Sequence, residues 1–456
     1  MKKKVLAVLL ACTLCMTLFA GCGKGNNSKE SANSKESESK TESKKESKKE
    51  NKTESNSNTG EGVNDKAFTL KIVSSGERDD GIDIAMRLYK EKYPNAKFDI
   101  ITSPWGNGGS EMREKELVLI NSGDLPDIGK MVWGKEFARE GLLMDVTEEI
   151  KQMPIYPNLS EGQLERMTYD GKYFGMTFGN NCIFMFYNKD ILKAAEWENP
   201  PKTIEEISKL AEDMKAKDLK TADGNQIYLT NFEGGNWATD YWLWANGGAQ
   251  MNDDYTKTLI DSPESIKAYT YMQDLVKNGS VPKIDGTGSQ FWLNGQQALL
   301  FSGEWEVDGN KDAGINYGVA TTPVGPTGKN TVSIGGVEWG IFEGCKNKQE
   351  ALDFVEILTS KEFAYEFGRG VTDLSFYDDP KRQEIWEKDG VLDVKMVQKE
   401  QLKNTRYNFL EAPFKYTESS KIYSDALEKI LVRLDPVEAT MKEAAQTINA
   451  GLAAEN

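Results

Sequence analysis

The sequence predicts an α/β fold divided into more than one lobe, and three observations carry that expectation. Apolar residues fall in strand-like runs, each followed by a stretch of helical period, beginning at "FTLKIVSS" (68–75). The alternation starts again after residue 180, at "CIFMFYNKDI". At 456 residues the chain exceeds what one hydrophobic core organises. Strands alternating with helices imply a largely parallel sheet with helices on its faces.

The first element is an address. "MKKKVLAVLLACTLCMTLFAGCG" has three lysines, an apolar run from Val5 to about Ala20, then small residues, the pattern of an export signal over 1–21. Spanning a bilayer takes about 20 apolar residues, so the run is short for a membrane helix. Phe19, Ala20, Gly21 and Cys22 resemble a bacterial lipobox in which Cys22 becomes the lipidated first residue, with Phe19 in place of the usual Leu. Cleavage without lipid and an uncleaved anchor are the alternatives. Cys12 and Cys15 lie inside the removed segment, which leaves Cys182 and Cys345; these form either a disulfide or two separate thiols.

The stretch 22–66 is Ser, Lys, Glu, Asn and Thr with almost no apolar residue. It cannot bury enough surface to offset its ordering entropy, so a disordered tether is expected. A flexible coil of about 40 residues reaches roughly 35 Å root-mean-square.

The folded part then reads element by element. After "FTLKIVSS", the stretch "DIAMRLYKEKYPN" carries Ile84, Leu88 and Tyr93 near helical spacing and stops at Pro94. "AKFDIIT" is a second strand, 111–120 a second helix, and "GDLPDIGKMV" a turn and third strand. Beyond "CIFMFYNKDI", Thr203 opens a helix with Glu206 three residues on, a capping box. "SPESIKAYTYMQDLVKNG" and "GQQALLFSG" follow, and after Glu343 the reading is helical.

Composition removes whole classes of function. A net charge of −16 repels nucleic acid and anionic lipid. Histidine is absent, so there is no Ser-His-Asp or Cys-His nucleophile, no HExxH zinc site and no imidazole base. No metal or cofactor is expected. "GPTGKNT" fails as a phosphate loop, with Pro323 for the first glycine and Asn330 for the Ser or Thr.

"NWATDYWLWANGGAQ" (236–250) concentrates large aromatics before a Gly-Gly turn. Trp237, Tyr241 and Trp244 share one helical stripe, which reads as core for Tyr241 and Trp244. Trp237 stands at the helix start, and Trp242 points off the stripe. Trp292 and Trp386 lie in helical patterns and read as packing.

The segments "LYKEKYPNAKFDI", "SGDLPDI", "FAREGLLMDVTEEI", "YDGKYFGMTF", "FYNKDILKAAEWENPPKTIEEI", "WANGG", "LLFSGEWEV", "TPVGPTGKN" and "IGGVEWGIF" occur in that order. With the closing "VEATMKEAAQTIN" they resemble the extracellular solute-binding lipoproteins of ABC importers, in particular the maltose-type carbohydrate-binding family, over residues 67–450.

That resemblance implies a two-lobed periplasmic-binding-protein-like receptor whose chain crosses a hinge several times. The N-lobe would comprise 67–178 plus 315–378 and the C-lobe 179–314 plus 379–456, with crossings at 178–179, 314–317 and 376–382. It implies a carbohydrate ligand held between the lobes, an ABC permease as partner, anchoring to the outer face of the cell membrane through Cys22, and a monomer.

The resemblance also nominates the site. Trp237 falls where relatives place a sugar-facing aromatic. Trp305 in "SGEWEV" matches a glycine-then-tryptophan turn whose indole faces sugar. Trp105 lies in a Pro- and Gly-rich loop, Trp133 follows "GDLPDI", and Trp339 follows a Gly-Gly pair. Glu77 and Arg78, in the loop after the first strand, match positions that serve sugar hydroxyls. Glu338 is a further polar candidate. Asn181 stands where maltose receptors carry a glutamate, which implies a different hydroxyl pattern. Asp127 is read as fixing a turn. An indole suits a pyranose because it covers the apolar C–H face while carboxylates and amides satisfy the hydroxyls.

Two rivals remain open at this point. An exported glycoside hydrolase or lyase would use paired carboxylates, although no pair stands out. A receptor for a non-sugar solute is the other, with metal least expected in a chain without histidine.

Overall fold

The computed structural model describes residues 63–75, 81–104, 109–159, 161–232, 236–252, 256–283, 290–367, 379–406 and 416–455. The export signal and the tether up to residue 62, together with Glu77, Arg78 and Trp105, lie outside the described residues. The last tether residues are bound to the folded part, where the Asn64 amide donates to the Lys92 carbonyl at 2.8 Å and Lys66 pairs with Glu350.

The larger sheet is built on β1 (Thr69–Ser74), β2 (Lys97–Thr102) and β3 (Ile128–Met131), with β1 parallel to both of its neighbours. Between β1 and β2 runs the helix Ile82–Lys92, and between β2 and β3 the helix Ser110–Ser122, as the periodicity predicts. Leu70 and Ile72 face one layer of the core, and Val73 faces the other, because successive side chains of a strand alternate. A short ribbon follows, β4 (Thr168–Tyr169) with β5 (Lys172–Tyr173).

Two strands join this sheet to the rest of the molecule. β6 (Met176–Cys182) leads directly into β7 (Phe184–Asn188), which pairs with β8 (Leu299–Ser302) and β9 (Tyr317–Ala320) in a separate three-stranded sheet. β10 (Val332–Ile341) returns antiparallel to both β6 and β3, and β11 (Thr405–Arg406) pairs with its first residues. Met176, Trp339 and Ile341 pack in the core of the larger sheet. Cys182 and Val332, at the other ends of the same two strands, pack in the core around the helices Ile204–Ala216, Asn236–Ala245 and Pro263–Lys277. β6 and β10 are therefore the two crossing strands.

Two expectations change. The smaller sheet is wholly antiparallel rather than parallel. Its three strands are separated by more than a hundred residues or by a reversal of the chain, so strand–helix alternation says nothing about their direction. The crossing expected at 314–317 lies later, because Tyr317–Ala320 still pairs with β7. The one expected at 178–179 falls inside β6, one of the two crossing strands. The third, at 376–382, straddles the undescribed 368–378.

The capping box forms with one alteration. Thr203 accepts the Glu206 amide at 3.1 Å, and the Glu206 carboxylate accepts the amide of Lys202 at 2.6 Å rather than that of Thr203. Cys182 and Cys345 are separate free thiols. Cys182 is buried with its thiol 3.9 Å from the Gln398 carbonyl, and the Cys345 thiol donates to Asp127 at 3.1 Å.

Candidate ligand-binding site

Trp305 is the most exposed aromatic side chain among the described residues, at 49%. It follows β8 in a turn that leads into the helix Glu306–Asp312. A Cβ placed on Gly303 would fall 2.1–2.6 Å from Cζ3, Cη2 and Cε3 of this indole, so its six-membered ring packs where only a glycine leaves room. The turn is held at three points. Ser302 Oγ donates to Glu306 at 2.8 Å, the Glu306 amide donates to the Gly303 carbonyl at 3.2 Å, and the Glu304 carboxylate pairs with Lys395. Lys395 is buried, and its distance in sequence from Glu304 left no local signal for the pair. The result is a flat apolar surface in water on a fixed mount, the arrangement that stacking on a sugar face requires.

Trp133 stands just beyond β3, on the larger sheet. It is 7% exposed, lies edge-on to Phe137 at 6.3 Å, and donates its indole N–H to Glu116 at 2.9 Å. Burial pushes the Glu116 carboxyl well above the usual carboxylate range, against the opposing pull of the Trp133 donor. The indole edge is thus fixed, with little of the ring open to solvent.

Trp339 and Glu338 occupy positions that argue against ligand contact. Trp339 is 1% exposed and packs in the core of the larger sheet. Side chains alternate along β10, so the Gly-Gly pair before it brings backbones together without turning this ring outward. Glu338 is 3% exposed, and its carboxylate accepts from the Arg166 guanidinium at 2.7 Å. A buried carboxylate committed to a buried cation is structural, and both residues leave the candidate set.

Asn181, on β6 opposite Gly335, is half-buried where the chain crosses between cores. Trp237 belongs to the helix Asn236–Ala245, and its side chain lies outside the described residues. The rest of that aromatic stretch is core. Tyr241 stacks on Phe301 and donates to the Pro323 carbonyl at 2.8 Å, and Trp244 donates to Gln250 at 2.6 Å. Trp242 is buried against the same Phe301, and Trp292 and Trp386 are fully buried, as their helical patterns predict. Asp127, read as fixing a turn, accepts the amide of Lys71 at 2.8 Å and so ties the residue before β3 to β1.

Sequence reasoning missed Arg166, Glu304 and Lys395. Each acts through a partner far away in the chain. Among the described residues no group of His, Cys, Asp and Glu could hold a metal ion, and no helix is long and apolar enough to cross a membrane.

A family model described as bacterial extracellular solute-binding protein matches residues 88–374, more than half of the chain. A maltotriose-binding protein of Pyrococcus abyssi is 27% identical over 266 residues, 55% of this chain and 55% of the relative. A maltooligosaccharide ABC transporter solute-binding lipoprotein of Streptococcus pneumoniae is 31% identical over 42% of this chain and 46% of that protein. The chain thus matches about half the length of these curated relatives. Among solved structures, an ABC substrate-binding protein from Listeria monocytogenes in complex with cycloalternan aligns with a TM-score of 0.71 at 21% identity, covering 86% of this chain and 100% of that one. A Mycobacterium tuberculosis protein in complex with glycerophosphocholine aligns with a TM-score of 0.72 at 17% identity, covering 86% and 99%. At such identities the likeness shows the two-lobed solute-binding fold alone.

Proposed function

Because the chain belongs to the bacterial extracellular solute-binding proteins, we propose that it captures a carbohydrate, an oligosaccharide in particular, between its lobes and presents it to an ABC permease. The observation that carries this reading is the Trp305 indole, packed against Gly303 and exposed to solvent. Trp133 follows a strand of the larger sheet and Trp305 a strand of the smaller one. A ligand touching both sides gains differential affinity for the closed arrangement, and without that difference it cannot shift the equilibrium. Trp237, Trp105, Asn181, Glu77 and Arg78 complete the proposed site. The protein binds and releases its solute unchanged. Cys22 is the proposed lipid anchor on the outer face of the membrane, with the monomer as the working form.

Stacking about 100 Å² of apolar surface on one indole is worth roughly 2.5 kcal/mol. Titration calorimetry with a maltooligosaccharide series tests the reading. Trp305→Ala is expected to weaken binding by about tenfold or more, given that 1.4 kcal/mol is a factor of ten. Affinity unchanged within about twofold would remove Trp305 from the site. Glycerophosphocholine, the ligand of one protein of this fold, serves as the non-sugar arm. Binding to it, with no binding to any sugar, would overturn the carbohydrate reading.

A further inference from the structure

Arg166 lies at the end of the helix Glu161–Met167, against the larger sheet, and its guanidinium is buried. It reaches three acceptors on the crossing strand β10. Nε donates to the Glu338 carboxylate at 2.7 Å, one terminal nitrogen to the Gly336 carbonyl at 3.1 Å, and the other to the Ile334 carbonyl at 3.4 Å. These three residues straddle the point where the β6–β10 register shifts, between Gly336 and Glu338. A bulge disrupts the ladder locally, and buried carbonyls there need other donors. Arg166 supplies them.

The strand is tied differently on the other side of that bulge. Ser333 donates its hydroxyl to Asp240 of the helix Asn236–Ala245 at 2.8 Å and pairs with Arg406 of β11. β10 is therefore fastened to the second core at Ser333 and to the first at Glu338, with Gly335 and Gly336 between the fastenings. Gly336 has φ 149°, and a Cβ there would stand 2.7 Å from the Gly179 carbonyl of β6. At this place the two crossing strands meet backbone to backbone. A pivot is cheapest where no side chain must be repacked.

We infer that Arg166 is a positioning residue for solute capture: anchored by Glu338, its guanidinium holds the Ile334 and Gly336 carbonyls across the pivot and limits how far the lobes rotate. The Glu338 contact lies on the larger-sheet side of the pivot. The Ile334 contact, the longest of the three, reaches over it and is the one that rotation stretches. The planar fork of arginine serves three divergent acceptors at once, and a lysine ammonium on the same stem does not. The inference rests on the reading of two lobes closing on a solute, but not on which solute.

Amide hydrogen exchange read by mass spectrometry on the purified protein, with no solute added, tests it. In Arg166→Lys, peptides over 332–338 are expected to exchange about tenfold faster, while peptides over 69–74 and 263–277 stay within about twofold. Acceleration spread evenly over all peptides would mark a purely structural role and overturn the inference. So would unchanged exchange over 332–338, or a radius of gyration in small-angle scattering, without solute, that Arg166→Lys leaves at the wild-type value. Removing both partners, Arg166→Met with Glu338→Leu, leaves no buried carboxylate unpaired. The same local acceleration is expected there; wild-type protection in that double variant would assign the effect to the stranded carboxylate and sink the proposal. Failure of sugar binding in calorimetry, with the local acceleration intact, would remove the carbohydrate reading and leave Arg166 in its role.

Discussion

Gly303 decides what Trp305 can do. Its backbone has no positive φ, so alanine fits the chain conformation there, yet the new methyl would occupy the place of the indole. Gly303→Ala is expected to displace the ring and weaken oligosaccharide binding by about tenfold, as truncating the ring itself would. Calorimetry beside thermal unfolding checks it, since a loss of affinity with a near-normal melting temperature is the expected pair of outcomes. Cys345 supplies a second prediction at this scale. Burial and the Asp127 carboxylate push its thiol up to about 12. Peptide mapping after iodoacetamide at pH 8 should find Cys345 largely unmodified in the folded protein and modified in urea. The unfolded thiol deprotonates near 8.5, so above that pH the native state keeps a proton the unfolded state has lost. The thiol's contribution to stability is present below about pH 8.5 and declines as the pH climbs toward 12.

Among elements, the helix Ile204–Ala216 shows local sequence acting almost alone. Thr203 caps it, as the sequence pattern announces, and Ile207, Leu210 and Met214 face the core. Thr203→Ala removes the bond to the Glu206 amide and should cost about 1 kcal/mol in urea unfolding. β1, β2 and the helix between them are equally legible, since a buried strand and an amphipathic helix write their period into consecutive residues. Strand direction in the smaller sheet is not legible. β7 and β8 are paired antiparallel by a chain that travels through several helices first, and no local pattern records which way it returns. The aromatic stretch 236–245 shows the same limit. Its stripe marks a buried face, and the tertiary packing adds Trp242 to that face against Phe301.

For the molecule as a whole, binding without turnover separates a receptor from a hydrolase. Incubation with maltooligosaccharides should raise the melting temperature, because a ligand at 100 times its dissociation constant adds about 2.7 kcal/mol. A reducing-end assay over the same incubation should find no new ends. Accumulating ends would return the paired-carboxylate reading to the front. The two crossing strands give this behaviour its mechanical form. They run through both cores, and between those cores Gly336 of one strand lies against the Gly179 carbonyl and the Asn180 side chain of the other.

The amino-acid sequence by itself determined the α/β class, the first three strands of the larger sheet with the helices between them, the absence of imidazole chemistry and the kinship with solute receptors. Each of these is written in composition or in neighbouring residues. Only the tertiary structure decided which of the tryptophans nominated for the site are surfaces and which are filling. Trp305 and Trp339 both follow glycines, yet one ring packs against its glycine in water and the other is sealed beneath a sheet. The structure alone also gave Glu338 to Arg166 and Glu304 to Lys395. Exposure and ion pairing depend on what the rest of the chain brings to a residue, and those partners stand 91 or more positions away.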